Sequence, residues 1–317
     1  MIRDSLQPAP APAEQPLAPP DTQHRGIVAR LPRTIRPYAL LARFDRPIGW
    51  WLLFWPCAWG VLLAGGGDRW GLIALLLAGS IAMRGAGCVY NDIVDADLDA
   101  RVARTALRPV ASGQVSKRAA WVWLVALCLV GLGVLLSLRW EAQVVALASL
   151  ALVAAYPFMK RITGFPQAWL GLVFTWGAPT GWVAVRGFDG GAPLAALYAG
   201  SILWCIGYDT IYALQDREDD AMIGIGSSAL TLGRHVRAGV ALFYGGAVLL
   251  WAAALWLVRA DGLALLALLP MAVHLEWQVA TLDSDDGGSA LARFRSNRLA
   301  GLLLAAACYV VGNAGVG

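Results

Sequence analysis

Carboxylates crowd into one short stretch that follows a long apolar segment: Asn91, Asp92, Asp95, Asp97 and Asp99. On a helix, Asn91 and Asp95 share a face because they are four residues apart, and Asp99 is next along the same stripe. A carboxylate left unpaired against hydrocarbon costs about 2.5–3.5 kcal/mol. Hard oxygen ligands suit Mg²⁺, which completes its octahedron with water and phosphate oxygens. The stretch therefore predicts a magnesium site for a phosphate-bearing substrate rather than a solvated loop.

A second acidic stretch lies farther along the chain and contains Asp209, Tyr212, Asp216 and Asp220. Spacings of three and four residues place these four side chains on one face of a helix. Both stretches follow an apolar segment at an equivalent position, and two like-charged clusters repel unless cations lie between them. The second stretch therefore strengthens the prediction of bound Mg²⁺.

A calcium-binding EF-hand loop is the nearest alternative for the first stretch. Asp95, Asp97 and Asp99 match the first three ligand positions of that loop. The loop also requires Gly at its sixth position and Glu at its twelfth, where this chain has Ala100 and Ala106. The EF-hand is therefore rejected.

Several basic residues could contact the phosphate groups. Arg84 lies on the Asn91 stripe at membrane depth, and Lys160 and Arg161 close another apolar segment. A cation at the membrane boundary beside acidic residues favours phosphate recognition. Three other basic residues are interpreted as surface anchors, namely Arg108, Lys117 and Arg118.

The elements that carry these residues are apolar. The chain has 317 residues, of which 58% are hydrophobic and only 15% are charged, and its mean hydropathy is +0.60. Soluble domains carry about 25% charged residues, so this chain belongs to the membrane class. The net charge of +4 is modest. We expect membrane lipid, and not nucleic acid, as its surroundings.

Apolar segments bounded by charge, Gly or Pro predict the membrane spans. They run over 47–65, 70–92, 119–138, 141–158, 166–186, 191–212, 237–258, 262–282 and 297–315. The acidic stretches follow the second and the sixth of them, which suggests an internal repeat. The predicted fold is an all-α, polytopic membrane bundle of about nine helices, arranged as two four-helix halves plus one helix.

The loops predict an orientation. Of the 25 Lys and Arg residues, 20 fall on the side that holds the N-terminus, four fall on the opposite side, and Arg84 lies inside the second span. This asymmetry predicts a cytoplasmic N-terminus and active site. Residues 1–36 are expected to form a disordered cytoplasmic tail ahead of a transmembrane domain over 37–317. Because Asp4 and Glu14 argue against an organelle transit peptide, the expected location is a bacterial inner membrane.

The acidic stretches and their flanks resemble the UbiA family of intramembrane prenyltransferases over about residues 40–315. The matching segments are LLARFDRPIGWWLLFWP (40–56), MRGAGCVYNDIVDADLDARVARTALRPVASG (83–113), YPFMKRITGFPQAWLGLVFTWGAPTGW (156–182) and GYDTIYALQDREDDAMIGIGSSALTLG (207–233). The third and fourth segments are more similar to the branch that acts on 4-hydroxybenzoate than to the haem O, chlorophyll or menaquinone branches.

The resemblance implies two Mg²⁺ ions that bridge aspartates and a diphosphate, and a cavity that opens sideways to lipid. The family's motifs fall on the metal ligands Asn91, Asp92, Asp95, Asp99, Asp216 and Asp220, with Asp209 in the second motif. The implied reaction is Mg²⁺-dependent transfer of a polyprenyl group from polyprenyl diphosphate to 4-hydroxybenzoate in ubiquinone biosynthesis. The new bond would form at the ring carbon ortho to the hydroxyl.

Roles follow for individual residues in that reaction. Asp95 and Asp216 are expected to be catalytic through the metal, and Asp209 is the candidate base that accepts a proton. The acceptor carboxylate requires a cation, for which Arg43 and Arg46 are candidates, although positive-inside anchoring explains both equally well. The remaining substrate-binding candidates are Arg84, Asn91, Lys160, Arg161 and Tyr212.

Other functions remain open at this point. A member of the same family with a different aromatic acceptor is the nearest alternative. A CDP-alcohol phosphotransferase also uses membrane aspartates and metal, but its Asp-Gly-x-x-Ala-Arg signature is absent from the sequence. A membrane transporter would explain many broken spans, but it would not need two clustered carboxylate motifs on one face.

Overall fold

A computed structural model describes residue 28 and residues 30–101, 105–217 and 226–313. Within that part of the chain every long regular element is an α-helix, which confirms the all-α prediction. The helices are α1 (Arg36–Leu41), α2 (Ile48–Leu63), α3 (Trp70–Val94), α4 (Ala96–Asp99), α5 (Lys117–Leu136), α6 (Trp140–Ile162), α7 (Pro166–Phe174), α8 (Gly177–Arg186), α9 (Gly191–Ala213), α10 (Ser228–Leu232), α11 (Val236–Val258), α12 (Gly262–Ala280) and α13 (Gly287–Asn313). The tail predicted over 1–36 lies mostly outside the described residues.

Membrane-spanning helices dominate the described chain. Five helical stretches are long and apolar enough to cross a bilayer: α3, α5, α9, α12 and the stretch Ser228–Val258 that includes α11. Two shorter apolar stretches, Ile48–Leu63 and Trp140–Ala155, accompany them. The protein is therefore a polytopic helical membrane protein, and the count of nine spans stays a prediction.

The chain forms two compact units. The first comprises Met1–Arg46 and Gly85–Ala126, and the second comprises Pro47–Arg84 and Leu127–Gly317. The division falls inside α3 and α5. It differs from the two four-helix halves expected from the sequence, which stay a prediction.

The span predicted over 166–186 consists of two helices, α7 and α8, because of a proline. In a continuous helix the N–H of residue 179 would pair with the carbonyl of Thr175, and Pro179 has no N–H. The Thr175 carbonyl instead accepts a hydrogen bond from the Ala178 N–H at 2.9 Å. The sequence therefore placed this segment correctly and missed its break.

Helix α2 is the centre of the second unit, where it packs against α8 and α13. A Cβ on Gly60 would meet the Ala178 carbonyl oxygen, so glycine is required for the close approach of α2 and α8. Three fully buried indoles, Trp59, Trp204 and Trp251, pack edge-on or tilted around this contact. These rings bring α2, α9 and α11 together in the core of the second unit.

Candidate active site

The first acidic stretch lies where α3 ends and α4 follows. Val89, Asp92, Ala96 and Asp99 are all buried, and their spacings of three and four residues form one helical stripe. The sequence analysis placed Asn91, Asp95 and Asp99 on one stripe, and this stripe therefore does not match the set of residues that are buried. Asp99 belongs with Asp92 on the buried side.

Asn91 and Asp95 are exposed, unlike Asp92 and Asp99. Helix α3 ends at Val94, and the Asp95 N–H still donates to the Asn91 carbonyl at 2.9 Å. The two side chains therefore remain on neighbouring turns with access to a ligand. The four predicted first-motif ligands divide into an exposed pair and a buried pair.

Asp92 is held by Arg43 from a distant part of the sequence. The Arg43 Nη2 atom donates to Asp92 Oδ1 at 2.8 Å, and the two side chains are only 12% and 2% exposed. Burial lowers the pKa of Arg43, but the charge of Asp92 and this hydrogen bond more than offset that effect and raise the pKa overall. Arg43 is therefore a permanent cation beside the acidic stretch.

The backbone at Arg43 is strained in a way that fixes its position. Its φ of 59° is in the left-handed region, which usually takes glycine. The Phe44 N–H donates to the Ala39 carbonyl at 2.9 Å and the Arg43 N–H donates to the Leu40 carbonyl at 3.0 Å. These two bonds form a Schellman motif at the end of α1, with arginine at the position that favours glycine.

Arg108 joins the two buried aspartates. Its Nη1 atom is 2.8 Å from Asp99 Oδ2 and 3.5 Å from Asp92 Oδ1. The Thr105 hydroxyl donates to the Asp99 carbonyl at 2.9 Å. This bond holds the segment that carries Arg108 close to the end of α4. The interpretation of Arg108 as a surface anchor is therefore wrong. Its position just after the acidic stretch was the only sequence signal of this role.

The other candidate for the acceptor carboxylate, Arg46, pairs with its neighbour. Its Nε atom donates to Asp45 Oδ2 at 3.2 Å, and Asp45 is only 1% exposed. The Asp45 Oδ1 atom is buried and has no hydrogen-bond partner among the described residues. Arg46 is thus positioned by a buried carboxylate.

The second acidic stretch begins on α9. Asp209 is partly exposed there, between the buried residues Tyr208 and Thr210. The Tyr212 ring packs on Phe294 of α13 at a centroid distance of 4.6 Å. Asp216 ends a short 3-10 turn, but its side chain lies outside the described part, and so does the whole of Asp220.

Arg84 lies inside α3 and faces apolar neighbours. Its guanidinium lies over the Phe174 ring at 5.6 Å, and its buried Nε atom has no hydrogen-bond partner among the described residues. A Cβ on Gly49 would lie 2.8 Å from this Nε atom, so a larger residue at position 49 would force the arginine side chain to shift. A buried, unpaired donor of this kind is suited to an anionic ligand.

A buried hydrogen-bond network supports the segment around Asp209. Gln167 of α7 accepts the Ser228 N–H at 3.1 Å, and the Ser228 hydroxyl is 2.8 Å from that of Thr210. At the exposed edge of this network, the Thr231 hydroxyl donates to the Gly164 carbonyl at 2.9 Å. These bonds tie α7, α9 and α10 together beside Asp209.

Lys160 and Arg161 occupy the last turn of α6, which ends at Ile162. Their side chains lie outside the described part of the structure. Their predicted contacts with phosphate therefore stay predictions.

The donor set fits a hard divalent cation. Asp92 Oδ2 is buried and has no hydrogen-bond partner among the described residues, while Asn91 and Asp95 present oxygens to solvent. Carboxylate and amide oxygens are the ligands that Mg²⁺ prefers. In the part of the chain that the structure describes, no three His, Cys, Asp or Glu side chains are grouped closely enough to hold a metal. The side chains of Asp216 and Asp220 are outside that part.

The sequence of residues 53–308 matches the family model described as the UbiA prenyltransferase family. The chain belongs to this family. UbiA relatives of known fold support the assignment. The apo structure of a UbiA homolog from Aeropyrum pernix K1 is 28% identical, with a TM-score of 0.68 over 82% of this chain and 97% of that one. A UbiA homolog from Archaeoglobus fulgidus bound to GPP and Mg²⁺ is 16% identical, with a TM-score of 0.63, over 87% of this chain and 99% of its own, and shows the shared fold.

Curated UbiA relatives with a named activity are more similar in sequence. The mitochondrial 4-hydroxybenzoate polyprenyltransferase of Drosophila melanogaster is 42% identical over 272 residues, which cover 85% of this chain and 69% of the relative. The enzyme of the same name from Rattus norvegicus is 42% identical over 285 residues, which cover 88% of this chain and 75% of the relative.

These relatives contradict the predicted location in a bacterial inner membrane, because they are mitochondrial enzymes of eukaryotes. The prediction of a bacterial membrane rested on Asp4 and Glu14, while the distribution of basic residues predicted only the orientation. Basic loops set the orientation of a chain within a bilayer and do not identify which membrane holds it. The prediction that the chain crosses the membrane several times is not affected by this correction.

Proposed function

We propose that this chain transfers a polyprenyl group from polyprenyl diphosphate to the ring carbon ortho to the hydroxyl of 4-hydroxybenzoate, as a step of ubiquinone biosynthesis. The observation that carries the proposal is the 42% identity to 4-hydroxybenzoate polyprenyltransferases over 85–88% of this chain. The accessible Asn91 and Asp95 beside the buried Asp92 supply the site chemistry that such a reaction requires.

The acidic stretches are proposed to hold Mg²⁺ through Asn91, Asp92, Asp95, Asp99, Asp216 and Asp220. When bound, the metal neutralises the charge that develops on the diphosphate as it departs. The buried Asp92 and its guanidinium partners fix the metal-binding carboxylates in place before the substrate arrives. The exposed Asp95 is the carboxylate that the substrate complex can reach directly.

The diphosphate is proposed to contact Arg84, Lys160 and Arg161. Arg84 offers a buried donor that has no partner among the described residues. An anion that accepts from this donor gains a charge-assisted hydrogen bond in apolar surroundings. The arginine therefore favours the diphosphate most as negative charge accumulates on it.

The chemistry at carbon needs a nucleophilic ring and a base. The C–O bond to the diphosphate breaks with its electron pair leaving on oxygen, and the ortho ring carbon forms the new C–C bond to the allylic carbon. The proton lost from that ring carbon restores aromaticity, and Asp209 is the proposed acceptor. Tyr212, which packs on Phe294, is proposed to flank the substrate.

The acceptor carboxylate is proposed to bind Arg43 or Arg46. Arg43 already uses Nη1 for the Leu40 carbonyl and Nη2 for Asp92. Arg43 therefore also serves the acidic stretch, and Arg46 also pairs with Asp45.

An apolar cavity of about 410 Å³ in the second unit is proposed to receive part of the isoprenoid tail. It is lined by residues of α2, α3, α5, α6 and α8, among them Leu53, Leu76, Met83, Leu135 and Leu147. Met83 precedes Arg84 on α3, so a substrate held by this arginine would have an apolar path beside it. Apolar walls also keep water from the reactive allylic carbon.

A membrane assay with polyprenyl diphosphate and a panel of aromatic acceptors tests the proposal. We expect prenylation of 4-hydroxybenzoate, no turnover in EDTA, and recovery when Mg²⁺ is restored. Preference for an acceptor without a carboxylate would overturn the assigned substrate but not the family. Full turnover without a divalent metal would overturn the proposed role of the acidic stretches.

A further inference from the structure

Two buried carboxylates of the first unit share two guanidiniums, while a third buried carboxylate, Asp45, pairs with Arg46. Asp92 and Asp99 contribute two negative charges, and Arg43 and Arg108 contribute two positive charges within 2.8–3.5 Å of them. All four side chains are at most 27% exposed. Among the described residues, the charges of these four side chains sum to zero before any metal binds.

This balance of charge disfavours the binding of a divalent cation when no diphosphate is present. A cation at Asp92 or Asp99 must displace or approach a guanidinium, and like charges at this distance repel strongly in a poorly solvated site. Arg108 is decisive because its Nη1 atom approaches both carboxylates at once. Arg43, in contrast, contacts only Asp92 of the two.

A diphosphate changes the balance. Its negative charge provides the guanidiniums with a new partner at the same time as Mg²⁺ takes the carboxylates. Metal and diphosphate then each favour binding of the other, and the free-energy coupling is reciprocal. The exposed side of Arg108 leaves room for such an exchange, because its side chain is 27% exposed.

We infer that Arg108 is an internal counterion that makes Mg²⁺ binding depend on the prenyl diphosphate. Arg108 occupies the carboxylates in the substrate-free enzyme and yields them when the diphosphate arrives. It is therefore a positioning residue that acts through Asp92 and Asp99. This inference rests on the proposed function, in which those carboxylates hold the metal.

The test is a titration of the full-length purified enzyme with Mg²⁺, read from the midpoint of thermal unfolding rather than from turnover. Each titration is performed alone and with geranyl diphosphate, without an aromatic acceptor. The variants are Arg108→Gln, which removes the charge, and Arg108→Lys, which keeps it. Lys117→Gln is the matched control, because Lys117 pairs with Asp97 on the surface of the same unit, where the side chains are 53% and 86% exposed.

In the wild-type enzyme, geranyl diphosphate should tighten Mg²⁺ binding by roughly 5–150-fold, the usual range of coupling between sites. Arg108→Gln should bind Mg²⁺ alone more tightly than the wild type, and most of the coupling should disappear. Arg108→Lys and Lys117→Gln should retain the coupling. If Arg108→Gln is unstable in EDTA, Mg²⁺ alone should restore its unfolding midpoint.

An Arg108→Gln enzyme with wild-type affinity for Mg²⁺ alone and intact coupling would overturn the inference. So would instability of this variant that Mg²⁺ alone does not correct. Failure of the proposed function has a different signature, because the wild-type enzyme would then show no Mg²⁺-dependent stabilisation even with geranyl diphosphate present.

Discussion

Asp92 shows how a single buried carboxylate organises the first acidic stretch. It receives Arg43 at 2.8 Å on one oxygen, while the other oxygen is buried and has no hydrogen-bond partner among the described residues. Removing one partner from a buried ion pair costs about 3–5 kcal/mol, because the remaining charge is left uncompensated. The stabilisation from this ion pair therefore offsets the strain of the left-handed backbone at Arg43.

Substitutions at Arg43 should distinguish the effect of backbone strain on stability from the effect of the lost charge. Arg43→Gly and Arg43→Ala both remove the closer of the two guanidinium partners of Asp92 and leave only Arg108, so both should lower stability by at most about 3–5 kcal/mol. Glycine adopts the left-handed region freely and alanine does not, so the glycine variant should be more stable than the alanine variant by about 1 kcal/mol. Denaturant or thermal unfolding in detergent measures both. Equal stability of the two variants would refute strain at this residue.

Asp95→Asn should separate a metal ligand from a surface charge. The side chain is exposed, so a purely structural role predicts little loss on this nearly isosteric change. If Asp95 holds Mg²⁺ on the diphosphate, the rate should fall by roughly 10²–10³-fold, as for loss of one electrostatic stabiliser. Steady-state kinetics at saturating Mg²⁺ measures the effect.

Asp97→Asn is the matched control for that substitution. Asp97 lies two residues away, is 86% exposed and pairs with Lys117 on the surface. Its neutralisation should leave the rate close to that of the wild type. An equal loss in both variants would indicate a general effect of charge rather than ligation by Asp95.

At the scale of the helix, most of the helices could be predicted from the sequence, but few of the contacts between them could. The span expected over 70–92 is α3 over Trp70–Val94. The last predicted span, over 297–315, belongs to a helix that begins earlier, at Gly287. Helix periodicity identifies apolar segments but does not show which side chain of an acidic stretch is buried. That depends on Arg43, which is 49 residues from Asp92 in sequence.

The approach of Arg84 on α3 to Gly49 on α2 provides a test of Arg84. Gly49→Ala would place a Cβ 2.8 Å from Arg84 Nε, and the flexible side chain would have to move. We expect roughly a tenfold to hundredfold loss of activity, as for a displaced positioning group, with little change in stability. Kinetics with the prenyl diphosphate varied should show the loss.

Gly71→Ala is the control for that substitution, because nothing lies within 4 Å of the added Cβ. Alanine in place of a helical glycine should preserve activity and slightly raise stability. Full activity of Gly49→Ala would contradict the assignment of Arg84 to the diphosphate.

At the scale of the whole molecule, the core and the chemistry are carried by different residues. Asn297 is fully buried and accepts hydrogen bonds from Trp204 Nε1 at 2.8 Å and from Gln278 Nε2 at 3.3 Å. This network could not be predicted from the sequence, because its partners lie on three separate helices, α9, α12 and α13. The acidic stretches, by contrast, were recognisable because their chemistry is local and unusual for a membrane segment.

Asn297→Leu should therefore destabilise the protein without altering its chemistry. The substitution leaves buried donors of Trp204 and Gln278 without an acceptor, at about 1–3 kcal/mol for each group. The unfolding temperature should fall by several degrees, while the turnover of the folded enzyme should be unchanged. Leu299→Ala, at a position that is 47% exposed, should lower it much less. A loss of turnover without a loss of stability would link Asn297 to the site.

The most direct test of the account is the mass of the product formed from 4-hydroxybenzoate labelled with deuterium at both ring carbons ortho to the hydroxyl. Carbon–carbon bond formation at one of these positions must expel its deuteron. We predict a Mg²⁺-dependent product that carries the prenyl group and retains only one of the two deuterons. A prenylated product that keeps both deuterons, or one that forms equally well in EDTA, would contradict metal-dependent transfer to the ring carbon.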